Sequence, residues 1–160
     1  MEYCQYDSPI GTFLLTAEED ALTGVWMDAS VPEIGPSGGE NLVLLRTKLW
    51  LDRYFRGENP PVDIPLAPSG TEFQHLIWKL LTAIPYGQTR TYGSIAREAA
   101  ALLGKDRMSA QAVGGAVGRN PISILIPCHR VVGAEGQLVG YAGGLERKVW
   151  LLRHEGWLKE

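Results

Sequence analysis

The segment 124–133, ILIPCHRVVG, sets a cysteine, a histidine and an arginine in a row between two apolar runs. Cys128 is the nucleophile this row offers. A free thiol titrates at about 8.5, so only a few per cent is thiolate at neutral pH, and an activated one needs a base or a cation nearby. His129 is the adjacent candidate base and Arg130 the adjacent cation. Along an extended strand successive side chains point to opposite faces, so a strand here predicts that His129 reaches the sulfur only through a bridging water. Pro127 removes a backbone donor and stiffens the approach. On these residues alone two accounts stand: an activated nucleophile, or an inert thiol packed as a small hydrophobe, since free cysteine is among the most buried residue types.

Two further stretches bear on that choice. The chain closes in a predicted helix over 145–157, with Glu155 near its end and Leu151 and Leu152 on its apolar side. If Glu155 shares that side, it can hold the imidazole of His129 in one tautomer and raise its basicity; if not, it is a solvated terminal glutamate. VGYAGG, residues 139–144, is a glycine-rich turn carrying one tyrosine. It either brings backbone N–H groups and an aromatic ring to a ligand or is a plain loop.

The elements that must position these residues follow from pattern. Residues 2–28 alternate loosely, with breaks at Ser8-Pro9-Ile10-Gly11 and Glu18-Glu19-Asp20, and predict a short antiparallel meander. Residues 30–40 form a Pro/Gly/Ser loop. Asn41 then caps a helix to about Phe55, with Leu42, Leu45, Leu49 and Tyr54 as its expected buried stripe. The segment 62–70 is read as an extended connection and a domain boundary.

Thr71 opens the next helix, with Phe73, Leu76, Ile77, Leu80 and Leu81 at helical spacing, and Ile84-Pro85-Tyr86-Gly87 stops it. A short helix over 91–100, a turn over 103–107 and a second helix capped by Ser109 suggest a helix-turn-helix, which can seat its second member in a DNA groove. That second helix, AQAVGGAVGRN, is almost bare of side chains. Each interior glycine costs roughly 1 kcal/mol relative to alanine, so something must offset it: tight packing on another helix, or the close approach of a ligand backbone.

Composition bounds the rest. The 160 residues are 45% apolar and 21% charged, with a net charge of −3. No apolar run of about 18 residues could span a bilayer, and the N-terminal stretch lacks the basic and apolar regions of a secretory signal, so a cytoplasmic protein is expected. Two cysteines, Cys4 and Cys128, argue against a disulfide framework as the organising device. The net charge argues against strong non-specific nucleic-acid binding, where a basic surplus is usual. Yet nine of the fifteen Lys and Arg residues fall between Lys79 and Lys148, which leaves a confined basic face open. No nucleotide loop or S-adenosylmethionine motif is present, and Cys4 with His75 cannot supply a four-ligand zinc site, so neither cofactor nor metal is expected.

Taken together, ILIPCHRVVG, the Asn120-Pro121 pair before it, AVGGA, YAGG and LLRHEG resemble, in order and spacing, the O6-alkylguanine-DNA alkyltransferases (methylated-DNA–protein-cysteine methyltransferases). The resemblance is close over about 71–158, and the first seventy residues look like that family's more variable N-terminal domain. It implies an α/β N-terminal domain over 1–68, a small antiparallel sheet with one helix and ribonuclease-H-like, followed by a mostly helical C-terminal domain over 69–160 containing the helix-turn-helix. It implies a cofactor-free, monomeric suicide repair protein that accepts the alkyl group of O6-alkylguanine in double-stranded DNA on Cys128, with O4-alkylthymine open as a second substrate.

By the same resemblance, Glu155, His129 and a water draw the proton from Cys128, and Asn120 braces the turn between the DNA-binding helix and the acceptor. Tyr92 donates to the leaving guanine and crowds the DNA phosphate. The carbonyls of Cys128 and Val131 accept from the guanine amino group, and Tyr141 with the N–H of Ala142 lines the pocket near O6. Thr91, Gln111, Ala112, Gly114, Gly115, Arg119 and Arg130 fall among the substrate- and DNA-binding positions, and the lean helix enters the minor groove. The target base rotates out of the stack, because a thiolate cannot reach its alkyl carbon inside a duplex.

Two departures stand out: Gln111 occupies the place where many members carry an arginine finger, and the inter-helix segment ALLGKDRM is long, with Lys105 and Arg107 as phosphate contacts or as a solvated loop. Competing classes are a lesion-recognition protein without transfer, which would lack Cys128, a methylation-activated regulator, which would need an additional zinc-binding domain, and a cysteine hydrolase, for which no further motif speaks.

Overall fold

The computed structural model describes residues 1–27, 41–141 and 143–159, so the predicted loop at 30–40 and the Ala142 position lie outside the described residues. The chain divides into two compact units, Met1–Ser69 with Pro121–Ser123, and Gly70–Asn120 with Ile124–Glu160.

The first unit begins with the expected meander: β1 (Glu2–Ser8), β2 (Gly11–Glu18) and β3 (Ala21–Trp26), antiparallel in the order β1-β2-β3. Both hairpins are tight, pairing Ser8 with Gly11 and Glu18 with Ala21. The outer edge of β3 is covered rather than left open. Leu22 donates to Pro65 O and accepts from Ala67 N, each at 2.8 Å, while Val25 donates to Pro121 O at 2.9 Å. The segment 62–70 is therefore more than a connector, because Leu66 forms a parallel bridge with Leu22. Phe13, Leu15, Leu22 and Val25 are wholly buried.

Helix α1 (Leu42–Phe55) is capped by Asn41, whose side chain accepts from Leu44 N–H. Its buried face differs from the expected one. Leu42, Leu45 and Leu49 are 74%, 43% and 64% exposed, whereas Val43, Leu44, Thr47, Trp50, Leu51 and Tyr54 are buried. Two apolar rows run along this helix at helical spacing, and the row carrying Trp50 and Tyr54 buries far more surface, which decides the rotation.

In the second unit, Thr71 and Gln74 form a reciprocal capping box at the start of α2 (Glu72–Thr82). Ile77, Trp78, Leu80 and Leu81 are its buried residues. Helices α3 (Tyr92–Leu102) and α4 (Ala110–Gly118) make the helix-turn-helix, capped by Thr91 and Ser109, whose side chains accept from Ser94 N and Ala112 N. Trp78 Nε1 donates to Ala116 O at 2.8 Å, tying α4 to α2. A two-residue parallel pair joins β4 (Arg90–Thr91) to β5 (Val131–Val132).

Helix α5 (Leu145–His154) ends earlier than the sequence suggested. Gly156, at φ +85°, takes the left-handed conformation, with Gly156 N bonded to Arg153 O and Trp157 N to Leu152 O. This is a Schellman ending, and it makes Glu155 the C-cap. No helix among the described residues is long and apolar enough to cross a membrane.

Candidate functional site

The segment before Cys128 turns instead of running straight. Ile124 holds φ +71°, a rare conformation for a β-branched residue. Pro127, at φ −81° and ψ 66°, is the centre of an inverse γ-turn closed by Cys128 N to Ile126 O at 2.8 Å. Residues Cys128–Arg130 then form a 3₁₀ turn, which corrects the strand expected there. In such a turn three successive side chains fan out roughly 120° apart, so Cys128, His129 and Arg130 each enter different surroundings. All three are buried.

Cys128 is 2% exposed. Burial pushes its thiol pKa up, and hydrogen bonds from the side chains of Asn120 and Tyr141, with the charge of Lys148, work against that rise. At rest the sulfur is therefore a thiol, and chemistry requires a base. Asn120 also donates Nδ2 to Ile126 O at 2.8 Å, so one side chain fixes both the turn and the sulfur it presents. The Cys128 carbonyl accepts from Val131 N–H. A carbonyl has a second lone pair to offer.

His129 is 0% exposed, and its Nε2 lies 2.7 Å from Glu155 Oε2. The expected carboxylate–imidazole pair is thus in place. Glu155 stands on the apolar face of α5, whose register of Lys148, Leu151, Leu152 and Glu155 places all four on one stripe. Burial alone would raise the Glu155 pKa, but the hydrogen bond and charge of His129 and the Arg130 guanidinium hold it well below the usual carboxylate range. For His129, burial lowers the pKa and outweighs the opposing pull of Glu155, so the imidazole is neutral. With Nε2–H donating to the carboxylate, Nδ1 is left as a buried acceptor with no protein partner. That lone pair is a base in waiting.

Arg130 does not sit where a DNA contact was expected. Its guanidinium is turned inward onto Glu155 and onto Ile84 O. Lys148, which the sequence reading did not single out, is 0% exposed, with Nζ donating to Val139 O at 3.0 Å and Gly140 O at 3.1 Å. Burial lowers its pKa to about 8, against the favourable field of Cys128. Its place on the apolar stripe with Leu151, Leu152 and Glu155 is the signal that could have found it.

Tyr92, first residue of α3, donates its hydroxyl to Val139 O at 3.3 Å, and burial followed by the neighbouring Cys128 raises its pKa, which keeps the phenol a donor. Thr91 is committed as the α3 cap. On α4, Gln111 and Ala112 are exposed and Gly114 and Gly115 half-buried, while Arg119 donates to Gly115 O at 3.4 Å. A Cβ built on Gly114 would meet only the Tyr92 ring at 3.9 Å, one on Gly115 only Arg119 Nη1 at 3.6 Å, and one on Gly118 nothing within 4 Å. Packing inside the protein therefore does not demand these glycines, which removes one of the two explanations for the lean helix.

A helix-turn-helix, followed by a buried turn that carries a thiol and an imidazole paired with a carboxylate, has the parts of a DNA-binding protein with a candidate cysteine nucleophile. Comparison with known proteins agrees. Residues 72–157 match the DNA-binding domain and residues 1–68 the ribonuclease-like domain of 6-O-methylguanine DNA methyltransferase. The methylated-DNA–protein-cysteine methyltransferase of Methanosarcina acetivorans is 46% identical over 98% of this chain and 99% of its own length. That of Mycobacterium leprae is 45% identical over 97% of this chain and 93% of its own. The crystal structure of Mycobacterium tuberculosis OGT in complex with DNA superposes with a TM-score of 0.82 at 41% identity, covering 97% of this chain and 92% of that one. The chain belongs to the 6-O-methylguanine DNA methyltransferase family.

Proposed function

We propose that the protein repairs DNA by direct reversal, taking the alkyl group from O6 of guanine in double-stranded DNA onto Cys128, once per molecule. It is a methylated-DNA–protein-cysteine S-methyltransferase, working as a monomer in the cytoplasm, where thiols stay reduced. The observation that carries this reading is the buried line from Glu155 through His129 to an unpartnered Nδ1, in a turn that also presents Cys128.

Nδ1 of His129 takes the thiol proton through a water, and the Glu155 carboxylate stabilises the imidazolium that forms. The thiolate sulfur attacks the alkyl carbon, a C–S bond forms and the C–O6 bond breaks with its electrons leaving on guanine. Tyr92 moves its hydroxyl from Val139 to the base and donates a hydrogen bond or proton to it as it leaves. The thioether has no good leaving group, so Cys128 stays alkylated. The carbonyls of Cys128 and Val131 read the guanine amino group, and Tyr141 and Ala142 line the O6 side. Asn120 holds the turn that presents the sulfur.

The division of labour puts the DNA contacts and the acceptor in residues 69–160, with 1–68 as the supporting domain. Helix α4 enters the minor groove, where Ala112, Gly114 and Gly115 let backbone approach backbone, and Thr91 and Arg119 flank the phosphates. The glycines' freedom from internal packing supports this placement. Gln111 meets the partner of the extruded base with an uncharged amide, so it holds the opened duplex less tightly than an arginine would.

Titration of a duplex carrying one O6-methylguanine tests the reading. Repaired guanine should saturate at one per protein chain and never exceed it. Turnover beyond equivalence, or lesion binding with no repair, would overturn it.

A further inference from the structure

The Glu155 carboxylate serves two partners at once. Besides His129, it accepts the fork of Arg130, Nε to Oε1 at 2.8 Å and Nη2 to Oε2 at 3.0 Å, and Gly87 N–H reaches Oε1 at 3.3 Å. Oε2 is therefore shared between His129 Nε2 and Arg130 Nη2. The guanidinium is itself fixed, with Nη1 donating to Ile84 O at 2.7 Å and Cζ 5.8 Å from the centre of the Tyr86 ring. Such a side chain is built into the protein, with each of its three nitrogens donating to a group of the chain itself.

We propose that Arg130 is a positioning residue for the acid–base pair: its fork neutralises and orients Glu155 so that His129 rests uncharged, with Nδ1 open to receive the thiol proton. This rests on the transfer reaction proposed above. The physical reason is charge balance in a dry site. An unneutralised carboxylate 2.7 Å from an imidazole would draw a proton onto it, and a charged imidazole has no lone pair left to act as base. With Arg130 in place the pair Glu155–Arg130 is already neutral at rest. Once the thiol proton moves to His129, the imidazolium and the Cys128 thiolate carry opposite charges that balance each other, and the Lys148 ammonium adds to the stabilisation of the thiolate.

The groups facing the imidazole are Lys148 from α5, Glu155 at its C-cap and Arg130 from its own turn. Tyr86, which feels the charges of Glu155 and Arg130, and Cys128, whose charge acts on Lys148, complete the set. Lys148 acts in the same direction as Arg130 on His129, but its Nζ is bound to the Val139 and Gly140 carbonyls and does not touch Glu155. Arg130 is thus the cation that acts through the carboxylate.

The test is the pH profile of single-turnover transfer in the full chain, with imidazole protonation followed by ¹⁵N NMR. Arg130→Gln should move the acid limb to higher pH, with about a tenfold loss of rate, read at a pH below the native limb, for each unit of movement, and full recovery at pH 9. Arg130→Lys keeps a cation without the fork and should move the limb the same way by a smaller amount. Should Arg130→Gln not fold, Arg130→Lys carries the comparison. A variant that loses rate equally at every pH, or a native His129 that is charged at pH 7, would overturn the proposal. Transfer by the native chain to Cys128 stands as the separate control: its absence would remove the reaction itself, whereas an unmoved acid limb would remove only the role of Arg130.

Discussion

At the scale of residues, one buried turn holds a weak acid and a weak base, both uncharged at rest. Cys128 is held as a thiol by burial, and His129 is held neutral by burial against the pull of Glu155. Because the folded pKa of His129 is depressed, its lone pair survives as pH falls past the ordinary histidine value of about 6.5, and the acid limb of transfer should lie below that value. Removing the base with His129→Gln should slow transfer by about 10²–10⁴-fold while leaving duplex binding intact, with part of the rate returning at high pH as the thiol ionises unaided. Single-turnover rates across pH check both statements; an acid limb near or above 6.5 in the native chain would contradict the first. The cysteine, histidine and glutamate were legible because their types announce chemistry. The inward turn of Arg130 was not, because nothing local to ILIPCHRVVG says that a carboxylate some 25 positions later closes on it.

At the scale of elements, caps decided what the sequence could reveal. Asn41, Thr71, Thr91 and Ser109 each accept a backbone N–H of their own helix, so the starts of α1 to α4 could be read directly. Gly156 fixes the end of α5 one residue before Glu155, and that ending sets the carboxylate at the C-cap rather than inside the helix. The rotation of α1 was harder, since a leucine row and an aromatic row compete and only tertiary packing chooses. The Cys128 turn was misread as a strand because its apolar flanks suit either, and the γ-turn at Pro127 settles the matter. Helix α4 carries the element-scale prediction. Gly114→Ala and Gly115→Ala each have room and should stabilise the helix by about 0.5–1 kcal/mol, yet weaken duplex binding because the added methyl groups stand off the groove. Thermal melting and duplex titration of the same variants check this; affinity that holds or rises with stability would place the DNA elsewhere.

At the scale of the whole molecule, the first unit is not contiguous in sequence. Pro121–Ser123 belong to it, with Val25 N donating to Pro121 O at 2.9 Å and Ser123 N to Val25 O at 3.3 Å. A fragment ending at Ser69 would lack those bonds and leave the β3 edge partly unpaired, so it should melt well below the full chain and tend to associate; a fragment as stable as the parent would contradict this. The same segment links Asn120 directly to the bend at Ile124, which is how a strand edge and the acceptor turn come from neighbouring residues. That interleaving was invisible to a linear reading, where Asn120-Pro121 marked the end of a helix and a turn and nothing tied the following residues to β3. The central claim remains that Cys128 is a stoichiometric acceptor, and intact mass with peptide mapping after incubation with an O6-methylguanine duplex tests it most directly. One added methyl group per chain, located on Cys128 and absent in Cys128→Ser, is the predicted result; an unchanged mass with the lesion still bound, or a methyl group on another residue, would contradict it.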